Sequence, residues 1–142
     1  MSRLGQAVQK RAEGMTGIRV LIVDDELEAG EIVSLRLGRR GFKPAYAPGG
    51  EAALAYLDKE AADVVILDVK MPGMDGLETL RRIRASHPNL PVIILSGHAD
   101  MQDAAKGMEL GAFFYLLKPA NLEELCHKIE DAHRQQTLDG NS

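Results

Sequence analysis

The sequence predicts an α/β domain in which five strands form one parallel sheet with helices on both faces. Five short apolar runs alternate along the chain with segments whose apolar residues recur at helical spacing. Three of the runs are continuous and rich in Val, Ile and Leu, which is typical of strands that are buried on both faces. Because strands that alternate with helices usually pair in parallel, we expect a doubly wound (βα)5 arrangement.

The individual elements follow from these patterns in chain order. The predicted strands are Ile18–Val23, Phe42–Ala47, Val64–Leu67, Val92–Leu95 and Ala112–Leu117. Each helix is predicted from an apolar stripe that would face the core. The stripes are Ile32, Val33, Leu35 and Leu37 in the first helix, Ala53, Leu54 and Leu57 in the second, Leu77, Leu80 and Ile83 in the third, Met101, Ala104, Ala105 and Met108 in the fourth, and Leu122, Leu125, Cys126 and Ile129 in the fifth.

The length of the chain, 142 residues, fits one domain of ordinary size. We expect that domain to span residues 18–134, with a polar tail at residues 1–17 before it and a short tail at residues 135–142 after it. Asn121 is expected to cap the last helix. The residues after Lys118 suffice for one helix and the tail, so we expect neither a second domain nor a helix-turn-helix.

Composition excludes several classes of protein. The net charge of −4 argues against direct nucleic-acid binding, which normally needs a basic face. No apolar run approaches the roughly 20 residues of a membrane span, and the first 17 residues lack the apolar core of a secretory signal. The single cysteine, Cys126, excludes an internal disulfide and a multi-cysteine metal site. We therefore expect a cytoplasmic protein that binds neither nucleic acid nor membranes.

Polar residues stand where four of the predicted strands end. Asp24 and Asp25 follow the first strand, Asp68 the third, Ser96 the fourth and Lys118 the fifth. The carboxyl ends of parallel strands meet at one edge of a sheet, and ligands of doubly wound folds bind there. The sequence therefore predicts a shallow pocket that holds three carboxylates, a hydroxyl and an ammonium group.

The chemistry of this cluster favours phosphoryl transfer. Neighbouring carboxylates repel one another, and all-oxygen ligands favour Mg²⁺, with Mn²⁺ as an alternative. An aspartate beside the cation can attack phosphorus as a nucleophile. The lysine and the cation would offset charge on the transferred group, and the hydroxyl could donate a hydrogen bond to it afterwards.

The order of these motifs resembles that of the receiver domains of two-component response regulators. The resemblance covers about residues 18 to 133 and rests on the segments Asp24–Asp25, Asp68–Gly76, Ser96–Gly97, Gly111–Ala112 and Lys118–Pro119. It implies the flavodoxin-like receiver fold. It also implies a protein that is phosphorylated on aspartate and signals by changing conformation, rather than an enzyme that turns over an external substrate.

The resemblance also implies a role for each residue of the pocket. Asp68 is the expected phosphoacceptor, and Lys118 and Ser96 assist it. Asp24, Asp25, Asp68 and the backbone carbonyl of Lys70 are the expected metal site. Ser96 and Tyr115 are the expected conformational switch.

Two further positions flank the expected pocket mouth and vary within the family. They are Lys70, two residues after the phosphoacceptor, and His98, two residues after the switch hydroxyl. We hypothesise that these side chains hinder the hydrolytic water and so prolong the life of the phosphoryl group.

The expected partners are a sensor histidine kinase or histidine phosphotransfer protein and a downstream protein target. The resemblance also implies a homodimer through the fourth helix, fifth strand and fifth helix. The chain could instead be the receiver part of a longer regulator, or a docking module that works without phosphorylation. A phosphatase of the haloacid-dehalogenase type is disfavoured, because its general acid would stand where this chain has Lys70.

Overall fold

The computed structural model describes residues 17–70 and 75–140, and all structural statements below concern those residues. The strands are β1 (Arg19–Val23), β2 (Lys43–Ala47), β3 (Val64–Asp68), β4 (Val92–Ser96) and β5 (Phe114–Leu117). The helices are α1 (Leu27–Arg39), α2 (Gly50–Lys59), α3 (Gly76–Ser86), α4 (Met101–Glu109) and α5 (Leu122–Gly140), and a 3-10 turn (His98–Asp100) precedes α4. Among residues 17–70 and 75–140, none of the helices could span a lipid bilayer.

All five strands run parallel in a single sheet of order β2-β1-β3-β4-β5. The predicted fold class is therefore confirmed. Chain order reverses between β1 and β3, and in open α/β sheets such a reversal marks the crevice where ligands bind.

Two hydrophobic clusters cover the two faces of the sheet. On one face, side chains of β1, β3 and β4 pack against α2 and α3, with Leu57 and Leu80 among the buried residues. On the other face, alternate residues of the same strands pack against α1 and α5, with Leu37 and Ile129 at the centre. Because both faces are covered, β3 and β4 are buried along their whole length, as their continuous apolar sequences predict.

The apolar stripe predicted for α1 is wrong in part. Leu37 is fully buried and Val33 packs against the core, but Ile32 and Leu35 are 50% and 57% exposed. The buried face instead includes Gly30, which carries no side chain and therefore adds nothing to a hydropathy pattern. The ring of Tyr46 occupies the space beside this glycine.

The last helix is longer than predicted. Helix α5 continues to Gly140, so the tail expected at residues 135–142 is helical as far as that residue. Apolar spacing does not predict this last part of the helix, because many of its side chains are polar. One of them, Gln136, lines a groove beside Leu57 and Leu90. Asn121 caps this helix as predicted, because its Oδ1 accepts a hydrogen bond from Glu124 N at 3.0 Å.

Candidate phosphoacceptor and metal site

The predicted pocket forms at the carboxyl edge of the sheet. Pairing of Val23 with Leu67 and of Asp68 with Leu95 places Asp24, at the end of β1, close to Asp68 at the end of β3. Ser96 ends β4, and Lys118 directly follows β5 and donates its backbone N–H to Ser96 O at 2.8 Å. Parallel pairing alone thus gathers residues that are up to 94 positions apart in the chain.

The three carboxylates converge closely enough to hold one cation. One ligand oxygen from each of Asp24, Asp25 and Asp68 lies within 4.8 Å of the others. Asp24 and Asp68 are each only 5% exposed, whereas Asp25 is exposed at the mouth. Carboxylate oxygens with an open side towards solvent are the ligands that Mg²⁺ prefers, so the donor set fits that ion.

Lys118 connects the two buried carboxylates. Its Nζ donates to Asp68 Oδ2 at 2.8 Å and lies 3.7 Å from Asp24 Oδ2. Burial alone would lower the pKa of Lys118, but the hydrogen bond to Asp68 and the negative charges around it raise that pKa above its ordinary value. The ammonium group therefore stays charged at physiological pH, as a group that offsets phosphoryl charge must.

Asp68 and Asp24 are held in place by hydrogen bonds to the backbone. Asp68 Oδ1 accepts from Lys70 N at 3.0 Å, and Asp24 Oδ1 accepts from Glu26 N at 2.9 Å. Burial raises the pKa of Asp24, although the Glu26 N–H and the charge of Lys118 partly oppose this shift. A bound cation would therefore stabilise the ionised form of the buried Asp24 carboxylate.

The segment after Asp68 returns to the sheet at Gly76. Gly76 N donates to Val69 O at 3.2 Å, and a Cβ at Gly76 would lie 2.4 Å from Val69 Cα. Only glycine permits this close approach at the start of α3, and the following turn is capped by Asp75. Residues 71–74 of the same motif lie outside the described residues.

The predicted switch residues have contrasting environments. Ser96 is fully buried, and its hydroxyl has no hydrogen-bond partner among the described residues. Tyr115 lies on β5 opposite Ile94 and is half-buried against the α2–α3 side of the core. The hydroxyl of Ser96, on the strand that pairs with that of Asp68, is therefore available as a donor. The switching role of Tyr115 stays a prediction.

The structure describes less of Lys70 and His98, the two residues predicted to prolong the life of the phosphoryl group. Lys70, two residues after Asp68, is exposed. The backbone of His98 begins the 3-10 turn that follows Ser96 and Gly97, and its side chain lies outside what is described. The Lys70 carbonyl as a metal ligand also stays a prediction.

Sequence reasoning missed Tyr46. Its hydroxyl donates a 2.5 Å hydrogen bond to the backbone carbonyl of Asp24. Burial, followed by the negative charges of Asp24 and Asp25, raises the pKa of Tyr46. A tyrosine between two alanines of the strand was the available signal, but nothing in the local pattern indicates which backbone group its hydroxyl contacts.

Comparison with known proteins identifies the family. A family model described as the response regulator receiver domain matches residues 20–130, well over half of the chain. This chain belongs to the response regulator receiver domain family. Membership in that family confirms the resemblance inferred from the motifs, and it decides against the haloacid-dehalogenase alternative.

Individual relatives agree with this receiver assignment. The transcriptional regulatory protein TrcR of Mycobacterium tuberculosis (strain ATCC 25618 / H37Rv) is 38% identical over 127 residues, which cover 89% of this chain and 49% of TrcR. A receiver domain protein from Clostridium thermocellum matches with a TM-score of 0.80 at 34% identity, covering 84% of this chain and 97% of that chain. A CheY-like receiver domain protein from Methanospirillum hungatei JF-1 has a TM-score of 0.80 at 27% identity, covering 85% and 97%. The chain thus spans about half the length of TrcR and nearly all of these two structures.

Proposed function

We propose that this receiver accepts a phosphoryl group on Asp68 in a Mg²⁺-dependent reaction. The observation that carries the proposal is the hydrogen bond from Lys118 Nζ to Asp68 Oδ2 inside a cluster of three carboxylates. Asp24, Asp25 and Asp68 would hold the cation, with the Lys70 carbonyl as a further ligand and Mn²⁺ as a substitute. When bound, the cation supplies positive charge that offsets the carboxylates and the phosphoryl oxygens.

The chemical step needs a nucleophile, a donor and a compensating charge. A carboxylate oxygen of Asp68 attacks the phosphorus of a phosphohistidine on a partner protein. One P–O bond forms, one P–N bond breaks, and the electron pair of that bond returns to the imidazole nitrogen. Lys118 stays hydrogen-bonded to the reacting group, and Ser96 donates its free hydroxyl to a phosphoryl oxygen.

The conformational consequence concerns the side of the sheet next to β5. Movement of Ser96 towards the phosphoryl group vacates space that the ring of Tyr115 fills. This is a shift between two populations, in which the phosphoryl group favours one through its extra hydrogen bond. The surface of α4, β5 and α5 then differs between the states, and a downstream protein or a second copy binds one of them.

The partners and setting are proposed from family membership. The donor is a sensor histidine kinase or a histidine phosphotransfer protein, and the setting is the cytoplasm. We propose residues 18–134 as the domain that carries the signal, and a role as a switch rather than as an enzyme acting on external substrates. The chain acts alone or as the receiver part of a longer regulator.

Phosphorylation can be measured by intact mass spectrometry after incubation with acetyl phosphate. We expect one phosphoryl increment that requires Mg²⁺ and is lost in Asp68→Asn. Asp58→Asn, an exposed carboxylate on α2, is the matched control and should be phosphorylated normally. An unmodified wild-type chain under every donor would instead favour the docking module that works without phosphorylation.

Lys70 and His98 are proposed to prolong the phosphorylated state. Lys70 is exposed two residues after the buried Asp68, and the side chains of Lys70 and His98 are both large enough to hinder an attacking water. The double variant Lys70→Ala/His98→Ala should lose the phosphoryl increment several-fold faster than wild type, with Lys59→Ala as the control. Equal decay rates would refute this role and leave the phosphoacceptor assignment intact.

A further inference from the structure

Helix α1 and strand β2 approach so closely at one point that only glycine fits. A Cβ at Gly30 would lie 2.1 Å from Cε1 and 2.6 Å from Cδ1 of Tyr46. Tyr46 stands on β2 opposite Ile22 of β1, and its ring occupies the space next to the first turns of α1. The missing side chain at position 30 therefore lets an aromatic ring lie between this helix and the edge of the sheet.

This ring delivers a hydroxyl to the backbone of the metal site. Tyr46 Oη donates to Asp24 O at 2.5 Å, while Asp24 N donates to Ala47 O at 3.2 Å. Both polar backbone groups of Asp24 are thus bonded to β2. The Asp24 carbonyl and the Asp25 N–H belong to one planar peptide, so a fixed carbonyl also fixes the direction in which the chain continues to Asp25.

The position of Asp25 depends on this peptide. Its carboxylate is exposed and accepts no hydrogen bond from the described residues, whereas Asp24 and Asp68 each have a backbone donor and lie near Lys118. Repulsion from those two carboxylates favours its movement away from the cluster. A rigid peptide before Asp25 opposes that movement and keeps three ligand oxygens within 4.8 Å of one another.

We propose that Tyr46 is a positioning residue for the divalent cation: its hydroxyl orients the Asp24–Asp25 peptide so that both carboxylates point at one site, and Gly30 supplies the space for its ring. This inference rests on the proposed Mg²⁺-dependent phosphorylation and deepens it. Tyr46 itself touches neither the cation nor the phosphoryl group.

The test compares the full chain with Tyr46→Phe, which keeps the ring and removes only the hydroxyl. Tyr56→Phe on α2 is the matched control. Cation affinity is measured directly by titrating Mn²⁺ and recording the free ion by electron paramagnetic resonance, with competition by Mg²⁺. Loss of one hydrogen bond should weaken affinity by roughly 2- to 10-fold in Tyr46→Phe and leave it unchanged in Tyr56→Phe.

The rate of phosphorylation by acetyl phosphate provides a second readout. At Mg²⁺ concentrations below saturation, Tyr46→Phe should be slower by the same factor, and at saturating Mg²⁺ its rate should return to that of wild type. A positioning role predicts this recovery, whereas a general loss of structure would lower the rate at every concentration.

The outcomes separate this inference from the proposed function. If wild type binds the cation and is phosphorylated but Tyr46→Phe has the same affinity, the positioning role is wrong and the proposed function stands. A lower melting temperature of Tyr46→Phe without a change in affinity would show a purely structural role and would also overturn the inference. If wild type neither binds the cation nor is phosphorylated, the proposed function and the inference fail together.

Discussion

At the scale of single residues, the carboxylates that would bind the cation also lower the stability of the folded chain. Lys118 neutralises part of the negative charge, but three carboxylates stand within 4.8 Å of one another around one ammonium group. Asp24 is buried, and its raised pKa means that its ionised form is less stable in the folded chain than in the unfolded one. The ionised Asp24 carboxylate therefore lowers the free energy of unfolding of the metal-free protein.

Asp24→Asn should stabilise the metal-free protein at neutral pH. Below the ordinary carboxyl value of 3.8 both folded and unfolded chains carry a protonated Asp24, so the variant gains nothing there. As pH rises through the raised folded pKa the wild type loses stability relative to the variant, and the full difference is present at pH 7. Thermal unfolding without metal should show a rise of roughly a few degrees.

Saturating Mg²⁺ should reverse that order, because Asp24 is an expected ligand and binding stabilises the folded state. Asp58→Asn serves as the control with neither effect. A variant that is less stable than wild type without metal would contradict the cost assigned to Asp24.

Asp63, which forms an ion pair with Arg19 at the amino end of the sheet, has a lowered pKa, in contrast to Asp24. Asp63 is itself partly buried, which alone would raise its pKa, but Arg19 donates hydrogen bonds through N, Nε and Nη2 and the net shift is downward. Its contribution to stability is present above the ordinary value of 3.8 and is lost as pH falls through the lower folded pKa.

Asp63→Asn should therefore cost about 1 kcal/mol of unfolding free energy at pH 7, since half of Arg19 is exposed and solvent screens the pair. The difference from wild type should shrink at pH values below 3.8. Urea denaturation at several pH values measures this. A difference that stayed constant across that range would indicate that the ion pair contributes little.

At the scale of secondary-structure elements, α1 differs most from its sequence pattern. Four apolar residues predict one stripe, yet the packed face of the helix includes Gly30 and Leu37, and Ile32 and Leu35 face solvent. The ring of Tyr46 lies against this face, and a Cβ at position 30 would lie 2.1 Å from its Cε1, so the helix approaches β2 at a residue without a side chain. Local hydropathy cannot anticipate a helix face that is selected by a partner strand.

A pair of substitutions in α1 tests this orientation. Leu37→Ala should cost about 2–5 kcal/mol of unfolding free energy, since the side chain is fully buried, whereas Leu35→Ala should change it by less than about 0.5 kcal/mol. The two changes remove the same atoms from the same helix, so each is the control for the other in urea denaturation followed by circular dichroism. Similar losses in both variants would contradict the observed rotation.

At the scale of the whole molecule, one sheet joins two hydrophobic clusters. Strands β1, β3 and β4 contribute alternate residues to both faces, so neither cluster can be lost without exposing the strands that support the other. Such an arrangement favours a single cooperative unfolding transition.

Substitutions on opposite faces should therefore affect the same transition. Ile83→Ala on α3 and Ile129→Ala on α5 each remove a fully buried side chain and should lower the unfolding free energy by about 2–5 kcal/mol. The slope of the free energy with urea should stay unchanged, and tyrosine fluorescence and circular dichroism should coincide. A second transition in either variant would show that the two faces unfold independently.

Local sequence patterns are sufficient to predict the fold class, the succession of strands along the chain and the residues of the pocket. These follow from short-range patterns, because apolar runs mark buried strands. The first residue after four of these runs is Asp24, Asp68, Ser96 or Lys118, and Asp25 comes next after Asp24. Because parallel strands share one carboxyl edge, the pattern along the chain is sufficient to bring these groups together.

Features that depend on contacts between distant segments are visible only in the folded chain. Three such features involve α1, β2 and the end of β1. They are the hydrogen bond from Tyr46 to the Asp24 carbonyl, the space left by Gly30 and the rotation of α1. The local sequence of one of these elements does not predict its contacts with another. The burial that raises the pKa of Asp24 has the same origin. Spacing along the chain indicates which residues end a strand. The atoms that touch are determined by close packing between elements, which forms only when the chain folds.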